Sequence, residues 1–353
     1  MLKKTVLKVN LLLVLVMLFA SVPIVNVGGV PLNRTGLTDP MLNSVFMVNA
    51  NEGWAVGEDG TIMHWNAVEW SNLTSPTALW LMSVYGVSTS NIWAVGQDGI
   101  IIHWNGASWN YFTSPTTEDL SSVFLVSDSE GWAVGDGGTA IHWNGVNWSI
   151  VAGPTGELHS VFMVNSGDCW AVGDMGIIFH WNGVSWSMVT SPTTQCLNSV
   201  FMTVSNYGWA VGCDGTIIQW DGTHWSNVAT PTTEDLHAMY MVSSINGWAV
   251  GDCGTSIHWN GVEWTSLNSP TLQGLRSLFM VNAGDGWAVG DCETLIRWNL
   301  EHGWIIIPEF PSFIILPLFM IATLLVVIVY KRKRACANTE QLSNKAFVSV
   351  GMH

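Results

Sequence analysis

The sequence predicts an all-β fold, a seven-bladed β-propeller with four-stranded blades, followed by one C-terminal transmembrane helix. Three observations carry this expectation. A motif of about 39 residues recurs seven times, each copy holds four short strand-like runs, and an uncharged apolar stretch with a basic flank lies near the C-terminus.

The repeats open at Leu42, Leu81, Leu120, Leu158, Leu197, Leu236 and Leu275, every 39 residues except one interval of 38. The short unit loses its residue after Pro154-Thr155, in a connection, where a deletion costs least. In the fourth unit the expected strands are 160–164, 170–173, 177–181 and a run opening at Trp186. Asn-Gly separates the third and fourth strands in units two, three, four and six, and Asp221-Gly222 does so in unit five, which reads as a type I′ hairpin. Ala67 and Leu300 replace that glycine in units one and seven, so those turns are expected to be strained or differently built. Both faces of the third strand are largely apolar, which suits a sheet packed between two neighbours. Seven copies fall within the range of closed propellers, and closure buries the terminal sheets that an open stack would expose. Residues 33–40 (NRTGLTDP) resemble the stretch before every other leading Leu and are expected to complete or overlay the last blade.

The flanks define the remaining segments. Lys3, Lys4 and Lys8 precede an apolar run, so 1–25 reads as a signal peptide. The propeller then occupies 31–308 as an ectodomain. Residues 312–330 are expected to form the membrane helix, with Lys331 to Arg334 holding a cytoplasmic tail (331–353) on the inside. The expected location is the cell membrane, single-pass, with the propeller extracellular.

Composition narrows the function. The 353 residues include 22 Trp and 35 Gly, only 10% are charged, and the net charge is −15. Each repeat takes three Trp, which leaves Trp80 over. Between residues 26 and 311 there is no Lys, the basic residues are Arg34, Arg276 and Arg297, and 25 of the 26 acids are found there. Such a surface excludes nucleic acid and favours cations or basic partners.

The blade motif WAVGxxGTIxHWNGxxW resembles the repeats of the photosystem II assembly/stability-factor-like propellers, within the sialidase-like (BNR) superfamily, over residues 42 to about 307. The resemblance implies a protein-binding scaffold. That family's basic binding surface does not carry over, since only Arg276 and Arg297 lie within the repeats. The Pro-Glu-Phe-Pro sequence at 308–311, the apolar run and the basic cluster resemble the C-terminal anchors of archaeal surface proteins.

Candidate chemistry is sparse. His64, His103, His142, His180 and His258 recur at one position, where Gln219 and Arg297 stand in units five and seven. A position that accepts Gln or Arg wants a hydrogen-bond donor rather than a metal ligand. Asp59, Asp98, Asp136, Asp174, Asp214, Asp252 and Asp291 fall in the turns between second and third strands, joined on one rim by Glu118-Asp119, Glu157 and Glu234-Asp235. Asp is a preferred turn residue, and the functional reading is a negative rim for Ca2+ or a basic protein patch. Trp80 is the ligand-contact candidate, because it stands in a connection outside the repeat pattern. Asn33, Asn72 and Asn147 head glycosylation sequons, and the five external Cys are expected as free thiols, although Cys196 and Cys213 share a rim. No catalytic residue, metal ligand or cofactor is expected. The leading function is a non-enzymatic binding or adhesion scaffold for a protein or glycan. The alternatives are a self-associating cell-envelope component and a carbohydrate-active enzyme.

Overall fold

The computed structural model describes residues 40–307, and these form seven four-stranded antiparallel sheets arranged as a closed propeller. In the first blade the strands are β1 (Leu42–Asn49), β2 (Glu52–Gly57), β3 (Ile62–Trp65) and β4 (Trp70–Asn72), from the axis outward. The same meander repeats to the seventh blade, which ends with strands Thr294–Asn299 and Gly303–Ile306. The signal segment (1–25), the membrane helix (312–330), the tail (331–353) and Asn33 lie outside the described residues. Among the described residues no helix is long and apolar enough to cross a membrane.

Closure is visible in three layers at the junction of blades seven and one. Near the axis, Phe46, Tyr85, Phe124, Phe162, Phe201, Tyr240 and Phe279 touch in sequence and form a collar, and Phe46 meets Phe279 with centroids 5.2 Å apart. Burial first, and Tyr240 second, push the Tyr85 pKa up, so the collar is uncharged at neutral pH. Two residues before each ring, a Ser Oγ accepts a backbone N–H of the next blade. Val84 donates to Ser44 (3.1 Å), Val200 to Ser160 (3.2 Å) and, across the closure, Val45 to Ser277 (3.2 Å). Only Ala238 breaks this ladder.

Farther out lie the tryptophans. The Trp of each WAVG packs on third- and fourth-strand Trp of the following blade. Trp54 meets Trp109 edge-on at 5.2 Å, and at the closure Trp287 meets Trp65 at 4.9 Å and Trp70 at 5.3 Å. Eleven buried indole N–H groups have no conventional acceptor. Edge-to-face packing points such donors at neighbouring ring faces, which supplies a weak acceptor. The excess of Trp is therefore inter-blade packing.

The turns correct the sequence reading in one respect. Trp104 pairs with Trp109, so four residues separate the third and fourth strands, and only Gly106 has positive φ. Asn105 Oδ1 accepts the N–H groups of Ala107 and Ser108, which makes an Asx-type loop instead of type I′. Ala67 holds φ 75° in the first blade, the left-handed region where a Cβ is unfavourable. The seventh blade carries an extra residue and moves the positive φ to Gly303. At the other end of each blade, the WAVG glycine lies against the preceding connection. A Cβ on Gly57 would stand 2.0 Å from the Met41 carbonyl.

Candidate functional site

Because every inner strand runs the same way, the loops sort onto two faces. One face collects the second-to-third-strand turns and the connections between blades, and they touch directly. Glu58 N–H donates to Met41 O, Asp98 N–H to Asp119 Oδ1, and Asp214 N–H to Asp235 Oδ1. In blade seven the Glu293 N–H donates to Pro40 O, so the residue entering β1 takes the place that a connection holds elsewhere.

This face is acidic. Among the described residues it holds fourteen carboxylates, nine in the turns and five in the connections, against one Arg. The seven candidate aspartates do gather here, but they are not equivalent. Asp59, Asp98 and Asp214 occupy the middle turn position with φ 52–53°, where Asp is tolerated better than most residues, and their side chains are exposed. Asp136, Asp174, Asp252 and Asp291 occupy the first turn position and are half-buried. Three of these reach the second residue of their own inner strand: His159 Nε2 lies 2.8 Å from Asp174, His237 Nε2 lies 2.8 Å from Asp252, and Arg276 forks onto Asp291 at 2.8 and 3.1 Å. Arg276 Nη1 also lies 2.7 Å from His237 Nε2 and 3.4 Å from Asp252 Oδ1, so the one arginine of the face among the described residues is tied up by its neighbours.

Among the described residues no three His, Cys, Asp or Glu side chains converge to hold a metal ion. The face is thus a spread of separate carboxylates. Trp80 belongs to it: the residue is 39% exposed, and its backbone is fixed by Gln97, whose N–H donates to Trp80 O at 3.0 Å. The thiol expectation is corrected for two residues, because Cys196 and Cys213 form a disulfide with Cα atoms 5.4 Å apart, joining a connection to its turn. Cys169, Cys253 and Cys292 are free. Asn72, on an outer edge strand, and Asn147, in a loop of the opposite face, are both exposed.

The recurring His column lies toward the opposite face and pairs with the residue twelve positions upstream. His64 meets Glu52 at 2.8 Å, His142 meets Glu130 at 2.7 Å, and His180 meets Asp168 at 2.9 Å. His103 and His258 face the amides of Asn91 and Asn246, and burial lowers the pKa of both imidazoles. Gln219 donates to Tyr207, while Arg297 binds Asp285 and lies over the Trp65 and Trp287 rings at 5.8 and 5.2 Å. These are packing and hydrogen-bonding roles. Sequence reasoning missed the partners, although they covary from unit to unit: acid or Asn with His, Tyr with Gln, Asp with Arg.

No family model and no curated protein matches the chain. Solved structures do. YCF48 bound to a D1 peptide superposes with a TM-score of 0.63 at 17% identity, covering 75% of this chain and 93% of the other. YCF48 from Cyanidioschyzon merolae gives 0.62 at 15% identity, covering 75% and 97%. The WD40 β-propeller domain of Doa1 gives 0.62 at 14%, covering 74% and 93%. The likeness establishes the fold.

Proposed function

We propose that this protein is a non-enzymatic binding scaffold of the cell surface whose acidic face receives a basic segment of a protein partner. The observation that carries the reading is the segregation of charge. Among the described residues, fourteen carboxylates share one face with a single Arg that is already bound to Asp291. A low-dielectric ring with one sign of charge at its rim steers and holds the opposite sign. Trp80 supplies an exposed apolar contact on the same rim. The structure of YCF48 with a D1 peptide supports a protein ligand for this fold. A glycan is less well served, since the Trp residues of the repeat are spent between blades.

Export fits the Cys196–Cys213 bridge, as such bonds persist in oxidising compartments. With residues 312–330 in a membrane, Ile307 leaves the acidic face only a few residues from the bilayer, which favours a partner whose basic segment is itself near the membrane.

The test uses the full chain. Capture from solubilised membranes is compared between the native protein and the triple variant Asp59→Asn, Asp98→Asn, Asp214→Asn, whose Asn residues keep the left-handed turn conformation. A basic partner that is released by added salt and lost in the triple variant is the expected outcome. Capture indifferent to both salt and substitution refutes the assignment. Labelling of Cys253 by a membrane-impermeant maleimide on intact cells checks the topology.

A further inference from the structure

Two glycosylation sequons lie among the described residues, and the structure sets them apart. Asn72-Leu73-Thr74 begins on the last residue of β4, the outermost strand of blade one, while Asn147-Trp148-Ser149 leads into the outermost strand of blade three.

At the first sequon the middle residue is the anchor. Leu73 N–H donates to Ile62 O (2.9 Å), and its side chain packs on the core between blades one and two. Alternation then carries Asn72 and Thr74 to the other side, and both are exposed. A sequon needs an amide to receive the sugar and a hydroxyl two residues on, and here the two face solvent together. Neither side chain has a hydrogen-bond partner among the described residues. At the same strand position in blades two and five the side chain is engaged: Tyr111 OH donates to Pro76 O, and Asn227 Nδ2 donates to Pro192 O (3.3 Å).

The second sequon is wired differently. Asn147 Nδ2 donates to Trp148 O (3.3 Å), its Oδ1 accepts from Asn144 Nδ2 (3.2 Å), and its backbone N–H donates to Asn144 Oδ1 (2.9 Å). Ser149 is half-buried and paired with His142 in the sheet. The Asn147 amide has to give up its bonds before its nitrogen can turn toward a sugar.

The neighbours of Asn72 show what a sugar there would cover. The same strand position holds Tyr111 in blade two and Ile306 in blade seven, 60 and 52% exposed. Both stand on unpaired edge strands, which invite pairing with another chain unless they are blunted. A bulky, hydrated substituent between them blunts three neighbouring edges and leaves both faces of the ring open.

We propose that Asn72 carries an N-linked glycan, transferred in preference to Asn147. Asn72 Nδ2 attacks C1 of a sugar chain held on a lipid diphosphate. The C–N bond forms as the C1–O bond breaks, the lipid diphosphate leaves, and the amide proton passes to a base of the transferase. The proposal shares with the binding reading only the export of the chain.

Mass spectrometry of the full chain purified from the cells that make it tests this, on chymotryptic peptides because residues 26–311 contain no Lys. The expected result is a carbohydrate adduct on the peptide holding Asn72, at higher occupancy than on the peptide holding Asn147. Thr74→Ala, an exposed change neutral for folding, abolishes the adduct and leaves Asn72 in place. Thr74→Ser, which keeps the sequon, retains it. An Asn72 peptide found only at its unmodified mass overturns the proposal. An adduct that survives Thr74→Ala does so too, as does occupancy at Asn147 equal to or above that at Asn72. Labelling of Cys253 from outside the cell reports export, and partner capture is read separately on the Thr74→Ala chain, so a failure of either reading is distinguishable.

Discussion

The serine ladder gives a direct measure of ring closure. Replacing Ser277 by Ala removes the acceptor of the Val45 N–H, a bond 3.2 Å long between residues 232 positions apart. Leaving a buried donor unpaired costs about 1–3 kcal/mol, and for a domain of this size each kcal/mol shifts the melting temperature by about 2–4 °C. Ser160→Ala breaks the same bond between blades four and five, so in a closed ring the two substitutions cost the same. The repeat provides the converse experiment as well. Ala238→Ser restores the one missing rung and is expected to stabilise by about 0.5–1.5 kcal/mol. Urea and thermal unfolding of the three variants, read by near-ultraviolet circular dichroism, decide the matter. A Ser277→Ala protein that melts like the native one while Ser160→Ala is weakened would refute closure at that junction.

Three further outcomes are expected. Reducing agent lowers the melting temperature of the native chain, whose bridge spans a sequence separation of 17 and is worth about 3 kcal/mol, but not that of Cys196→Ser. Acidification is destabilising through His103 and His258: their folded pKa values lie below 6.5, so the unfolded chain binds protons first, and the stability present above that pH is lost as pH falls toward the folded values. His103→Gln with His258→Gln, copying Gln219, flattens that decline between about pH 7 and 5 in a pH-resolved melting series. Ala67→Gly relieves a left-handed φ of 75° and raises stability by up to about 1 kcal/mol in denaturant titration.

Spacing alone made the architecture legible. Leading Leu, WAVG and HWN recur at near-constant intervals, and each maps onto an inner, second or third strand because side-chain alternation within a four-stranded blade leaves few registers. The acidic rim was legible too, since turn position follows from strand order. The offset between Asp214 (WAVGCDG) and Asp252 (WAVGDCG) is visible in the sequence, but its outcome is not: one is turned into solvent and the other toward His237. The Asn-Gly turns misled because Asn105 satisfies two N–H groups with its side chain, which a dipeptide rule ignores. A groove beside Tyr207, between blades five and six, needed three dimensions, as its walls come from two repeats.

The seven junctions are nearly interchangeable, and that creates a problem of assembly. A chain whose modules all fit one another can join the wrong ends, skip a member, or recruit a module from a neighbouring molecule. The contacts at the seam are among those that differ: an arginine spread over Trp65 and Trp287 where five blades use imidazole and one uses Gln219, and Glu293 bonded to Pro40. These idiosyncrasies act as a key at the meeting point, giving the count of seven an energetic preference that uniform repetition would not provide.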